Sequence, residues 1–127
     1  MKTALITTTI NVPRVLSLYR AHDPDVMFFV AGDLKTPLET DIFCGEIDKC
    51  VYLSPELQKM HNYKSSELIG WNNDSRRNVA LLEAMRWGAE LIVSVDDDML
   101  CVGSPFGKWY DIFHMPWPRR QWCAQRR

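Results

Sequence analysis

Residues 75–99, SRRNVALLEAMRWGAELIVSVDDDM, read as one helix, one turn and one strand that stops on three aspartates. Asp74 or Ser75 caps the helix in this reading, because a short side-chain oxygen there accepts a hydrogen bond from a free N–H of the first turn. Val79, Leu82, Met85 and Ala89 recur at the spacing of a buried stripe. Gly88 suits the left-handed residue that closes a helix. Residues 91–95 are then a continuous apolar run, as expected of a strand buried on both faces, and the run leads directly into Asp96, Asp97 and Asp98.

Upstream the alternation repeats. Residues 3–8 read as a buried first strand. Asn11 reads as a helix cap with Pro13 in the first turn, and Val15, Leu16 and Tyr19 share one helical face. Asp23-Pro24 stops that helix. Residues 26–31 (VMFFVA) are a second strand, ended by Gly32-Asp33, and Lys35-Thr36-Pro37 opens a loop. Residues 51–53 are a short third strand. Residues 54–73 are polar and irregular, with one helical turn at 55–60. The spacing predicts an α/β fold: a three-layer, Rossmann-like, parallel-rich sheet in the order 3-2-1-4, with helices on both faces. Its domain spans residues 1–100, followed by a short irregular segment at 101–127.

The bulk properties bound what such a chain does. Its 127 residues suffice for one modest core. No apolar run is long enough to span a membrane, and the N-terminal stretch, broken by threonines, reads as a strand rather than a signal peptide. A cytoplasmic location is the resulting expectation. Net charge is −1, but residues 116–127 carry four arginines and no acid. The remainder is acidic, which argues against a nucleic-acid partner. Cys44, Cys50, Cys101 and Cys123 show no CxxC spacing and read as reduced thiols; a Cys44–Cys50 disulfide would need an oxidising compartment. No GxxxxGK[ST] loop, GxGxxG turn or GxSxG elbow is present.

In parallel sheets ligands gather beyond the carboxyl ends of the strands, and the informative polar residues lie there. Along an extended chain Asp96 and Asp98 point one way and Asp97 the other. Adjacent carboxylates repel, and a bound Mg²⁺ or Mn²⁺ relieves that repulsion through oxygen ligands; Asp96 and Asp98 are the expected metal ligands. Arg76 and Arg77 open a helix whose first N–H groups and dipole favour phosphate. Asp33 is placed to accept hydrogen bonds from a ribose, Lys35 to reach phosphate, and Thr7, Thr8 and Thr9 to meet a base edge. Trp71 is either a stacking platform for a sugar or base or a partly buried anchor.

The segment 75–99 resembles the central part of GT-A glycosyltransferases, in which an Arg-Asn pair opens a helix and the next strand ends in a DxD motif. Gly32-Asp33-Leu34-Lys35-Thr36-Pro37, with Tyr52-Leu53-Ser54 and Gln58 after it, is similar to elements of the STELLO-type putative glycosyltransferases. Ser94-Val95-Asp96-Asp97-Asp98 is similar to the strand end of the reversibly glycosylated polypeptides, which are UDP-arabinopyranose mutases. The resemblance covers roughly residues 3–100. It implies a nucleotide-diphosphate-sugar donor, most readily a UDP-sugar, a divalent metal, and nucleotide-sugar contacts at Asp96 and Asp97. It leaves the acceptor and the catalytic group unknown, since such enzymes continue well past the motif; Asp111 and His114 are candidates only. Transfer of the sugar to an acceptor is the leading expectation. The alternatives are a nucleotide-sugar mutase, or an inactive remnant that binds nucleotide or a partner. Trp109, Phe113, Trp117 and Trp122 are expected to cover the edge of the fourth strand or to mediate self-association.

Overall fold

The computed structural model describes residues 1–99; the expectations for Cys101, Cys123, Asp111, His114 and the C-terminal aromatic residues lie outside the described residues. In chain order the elements are β1 (Thr3–Thr9), α1 (Leu16–His22), β2 (Met27–Gly32), α2 (Glu39–Glu46), β3 (Cys50–Leu53), α3 (Pro55–His61), α4 (Ser66–Ile69), a 3-10 turn (Asp74–Arg76), α5 (Arg77–Trp87) and β4 (Leu91–Ser94). The four strands are parallel and lie in the order β3-β2-β1-β4, as the sequence predicts.

Side chains alternate between the two faces of the sheet and fill two cores. Leu5, Phe28, Val30 and Val93 pack under Val15, Leu16 and Tyr19 of the α1 region and Cys44 of α2. Ala4, Ile6, Phe29, Ala31 and Leu53 pack under Val79, Ala80 and Ala84 of α5, with Leu57 of α3 and Ile69 of α4 at the margin. The chain runs from β1 outward to β3 with its helices on one face. It then crosses to the other face and returns to place β4 beside β1. That reversal of direction with a change of face is what right-handed crossovers require.

Four local expectations need correction. Residues 39–46 are helical rather than loop, and α3 and α4 order much of the stretch read as irregular. Helix α1 begins at Leu16, and Asn11 does not cap it; no side-chain cap bond is present there. Asn73, rather than Asp74 or Ser75, accepts the capping bond ahead of α5, from Ser75 N at 2.8 Å. The buried stripe of α5 is Val79, Ala80 and Ala84, whereas Leu82 and Met85 are exposed. Small residues face the sheet because α5 lies close on β1 and β2. Gly88 does close α5, with φ +92°.

Gly32 ends β2 where the ring of Tyr52, on neighbouring β3, crosses its Cα. A Cβ at position 32 would overlap the Tyr52 hydroxyl. Burial pushes the Tyr52 phenol up to about 12 from an ordinary 10.0. Gly32→Ala should therefore destabilise by about 1–3 kcal/mol through overpacking, measured by urea unfolding. Because the folded-state value is raised, the protonated phenol favours folding below about pH 10, and that contribution fades as pH rises towards 12. Tyr52→Phe should reduce the loss of stability across that interval. Some loss should remain, since burial raises Tyr63 as well.

Candidate functional site

Where neighbouring connections leave a parallel sheet on opposite faces, the strand ends part and a crevice opens. Here that point lies between β1 and β4. The structure has a cleft of about 290 Å³ over the carboxyl ends of the strands. Thr8, Thr9, Ile10 and Asn11 line it from the end of β1, and Asp33 and Lys35 from the end of β2. Asn72, Asn73 and Asp74, ahead of α5, form a further wall, and Asp97 enters from beyond β4.

Hydrogen bonds at the strand ends set its shape. The Thr36 hydroxyl accepts from Asp33 N at 2.7 Å and donates to the Thr9 carbonyl, which ties the β2 loop to β1. The Thr8 hydroxyl donates to the Ala31 carbonyl at 2.9 Å. Asp33 is 2% exposed. Its Oδ1 accepts from Leu34 N at 2.7 Å and from Asn72 N at 2.8 Å, and its Oδ2 accepts from Asn73 N at 3.2 Å. One carboxylate thus fastens the 72–73 wall over the end of β2. Carboxylates holding several backbone N–H groups are strongly oriented.

The aspartate triplet lies past the end of β4: the strand ends at Ser94 and the chain turns at Asp97 and Asp98. Asp97, rather than Asp96 or Asp98, faces the cleft. Its Oδ2 lies 2.6 Å from the Thr9 hydroxyl and 3.4 Å from Asn11 Nδ2, both placed to donate. Asp96 turns to Arg77 instead, at 2.5 Å, and Arg77 also donates to the Ser94 hydroxyl at 3.0 Å. Asp98 is exposed. Among the described residues, no three His, Cys, Asp or Glu side chains converge on one metal position.

The two arginines have separate surroundings. Arg77 is partly exposed beside the end of β4. Arg76, expected to hold phosphate, is fully buried and cannot reach a ligand in the cleft. Its guanidinium donates to Gln58 Oε1, to the Gly70 carbonyl at 3.1 Å and to the Ser66 hydroxyl at 3.2 Å. It also lies 3.8 Å from the centre of the Trp71 ring. Nε has no hydrogen-bond partner, and burial, opposed by Asp33, lowers the pKa. The amide of Gln58 in turn donates to the carbonyls of Gly32 and Leu53, at 2.8 and 2.7 Å. Arg76 therefore pins the 66–71 segment to the ends of β2 and β3, and Trp71 serves as its anchor. Thr7 is likewise fully buried inside β1 and lines no cleft.

Of the expected site residues, the structure brings Thr8, Asp33, Lys35 and Asp97 together at the cleft and sets Arg77 with Asp96 close by in the chain. Asn11, Asn72, Asn73 and Asp74 line the cleft without having been singled out for it by the sequence. Their signal was positional: each sits just after a strand or just before a helix at the sheet's carboxyl end. The lining carries three carboxylates and one ammonium, so it favours hydroxyl-rich or cation-bearing groups over a bare anion. The chain matches no family model, and no curated protein matches it in sequence.

Arg76→Met should cost about 3 kcal/mol, because it leaves the buried Gln58 carbonyl and Gly70 carbonyl without their charged donor. Arg77→Ala, at a partly exposed pair, should change stability by under about 1 kcal/mol. Urea titration of both variants checks the contrast. Equal losses would contradict the buried-pin role of Arg76.

Proposed function

We propose that this chain binds a nucleotide-diphosphate sugar, with Mn²⁺ or Mg²⁺, as the donor-binding part of a glycosyltransferase that passes the sugar to an acceptor. The observation that carries the reading is the cleft at the β1–β4 divide, where Asp97 and Asp33 approach the same space from different strands. Beside it is an arginine at the first turn of α5.

Each group has a part that its geometry suits. Asp97, with one oxygen oriented by Thr9 and Asn11, retains acceptor capacity for sugar or ribose hydroxyls. Asp33 holds the wall through its bonds to Asn72 N and Asn73 N. Lys35, on the cleft lining, provides a positive charge for a phosphate oxygen. Arg77 is a bidentate donor that can exchange its contact with Asp96 for the diphosphate.

The carboxylates of Asp96 and Asp98 are exposed, and their oxygen chemistry fits a hard divalent cation whose other positions are filled by water and phosphate. For Asp96 this requires release from Arg77, so cation and diphosphate would arrive in concert: one takes the carboxylate, the other the guanidinium. Such a cation offsets the negative charge of the leaving diphosphate. The protein's own contribution is to orient the donor and to hold the nucleoside end away from bulk water.

Calorimetric titration of the full chain with UDP and UDP-sugars tests this. With Mn²⁺ present, Arg77→Ala should weaken diphosphate binding by about 1.5–3 kcal/mol, the range for hydrogen bonds to charged groups. Uridine binding should change far less. Asp98→Asn should remove the dependence on Mn²⁺ with the fold intact. Identical affinity of parent and Asp98→Asn, with and without Mn²⁺, would refute metal-assisted donor binding.

A further inference from the structure

Away from the cleft, Thr40 and Cys44, one turn apart, are the buried residues of α2. Cys44 is 1% exposed and belongs to the core on the α1–α2 face of the sheet. On β3, Cys50 and Tyr52 pack against this same core, whereas Leu53 belongs to the opposite one, as strand alternation dictates. Cys44 therefore faces Cys50 across the turn that joins α2 to β3. Both are free thiols at the same core. Cys50 is the partly exposed member of the pair.

We propose that Cys44 and Cys50 form a reversible dithiol–disulfide site, closed by exchange with a small disulfide of the glutathione type. The surroundings divide the labour between the two sulfurs. The hydrogen bond from Cys44 favours the thiolate of Cys50 against the opposing effect of burial, and the positive charge of Arg20 acts in the same sense as that bond. Arg20 is fixed there, stacked over Phe28 with its guanidinium carbon 4.0 Å from the ring centre. It donates to the Asp23 and Lys49 carbonyls. Cys44 is pushed up, first by that same hydrogen bond and then by burial. Cys50 is thus the attacking sulfur and Cys44 the resolving one.

In the first step the Cys50 thiolate attacks one sulfur of oxidised glutathione, and a glutathione thiolate leaves. The Cys50 sulfur is then no longer an anion and no longer holds the Cys44 proton. Cys44 loses that proton to solvent, attacks Cys50 Sγ, and expels the second glutathione thiolate. Two protein thiols are oxidised and one small disulfide is reduced to two thiols. The new bond would staple the end of α2 to the start of β3, across a turn in which Lys49 holds a left-handed φ of +52°. Thr40, at the other end of α2, donates to the Asn11 carbonyl at 3.3 Å, so the staple acts on a helix that supports the cleft.

The test uses the full chain carrying Cys101→Ser and Cys123→Ser, treated with oxidised glutathione under native conditions. Free thiols are then alkylated and the protein is cut with trypsin. Lys49 lies between the two cysteines, so trypsin separates residues 36–49 from 50–59 unless a disulfide joins them. The expected product is that linked pair, parted by dithiothreitol. Cys44→Ser should trap glutathione on Cys50, while Cys50→Ser should leave Cys44 unmodified. Recovery of both cysteines alkylated, or closure only in urea, would overturn the proposal. Glutathione stable on Cys50 with Cys44 alkylated would do the same.

Discussion

A guanidinium with no solvent exposure is a demanding object for a fold this small. Burying a charge is tolerated only when hydrogen bonds and packing replace water, and Arg76 obtains these from four places along the chain: Gln58, Ser66, Gly70 and Trp71. Those positions lie in the polar stretch that has few large apolar side chains of its own to pack. The buried charge substitutes for a hydrophobic anchor. Because Gln58 is simultaneously fixed to the ends of β2 and β3, the loop-rich segment is held to the sheet's carboxyl edge by one continuous polar network. Together with Asp33, which holds Asn72 N and Asn73 N, this network positions the wall formed by residues 72–74.

The cleft itself follows from topology. Strands that run outward from β1 to β3 and then return beside β1 must place their connections on opposite faces. The space between the ends of β1 and β4 is left uncovered as a result. Residues there are freed from sheet packing and free to be polar: Thr9 and Asn11 on one side, Asp97 on the other. The acid-rich lining is tolerable because Asp33 is hydrogen-bonded by backbone N–H groups and Asp97 by a hydroxyl and an amide. Arg77 performs the same service for Asp96 just outside it.

The parallel sheet and its strand order were legible because four apolar runs alternate with helix signals, a pattern set by burial. Helix α2 was not, because its pattern is inverted: Thr40 and Cys44 are buried while Leu38 and Ile42 are exposed. Periodicity of apolar residues cannot reveal a helix whose inward positions are a hydroxyl and a thiol. The site was half legible. Position at strand ends correctly gathered Thr8, Asp33, Lys35 and Asp97. The phase within each end was not readable. Arg76 and Arg77 are neighbours, yet a 3-10 turn passing into an α-helix sends one into the core and the other towards β4. One turn beyond β4 likewise sends Asp97 to the cleft and Asp96 to Arg77. Phase at an element's end depends on where the regular geometry stops, and that is decided by tertiary contacts.

The three amides gathered by Asp33 belong to residues 34, 72 and 73, which the chain separates by nearly forty positions. Since one acceptor protects them all, they cannot exchange their protons with solvent as independent events. Any excursion that lifts the carboxylate exposes the three together, so a lone side chain makes distant stretches of backbone breathe as a unit.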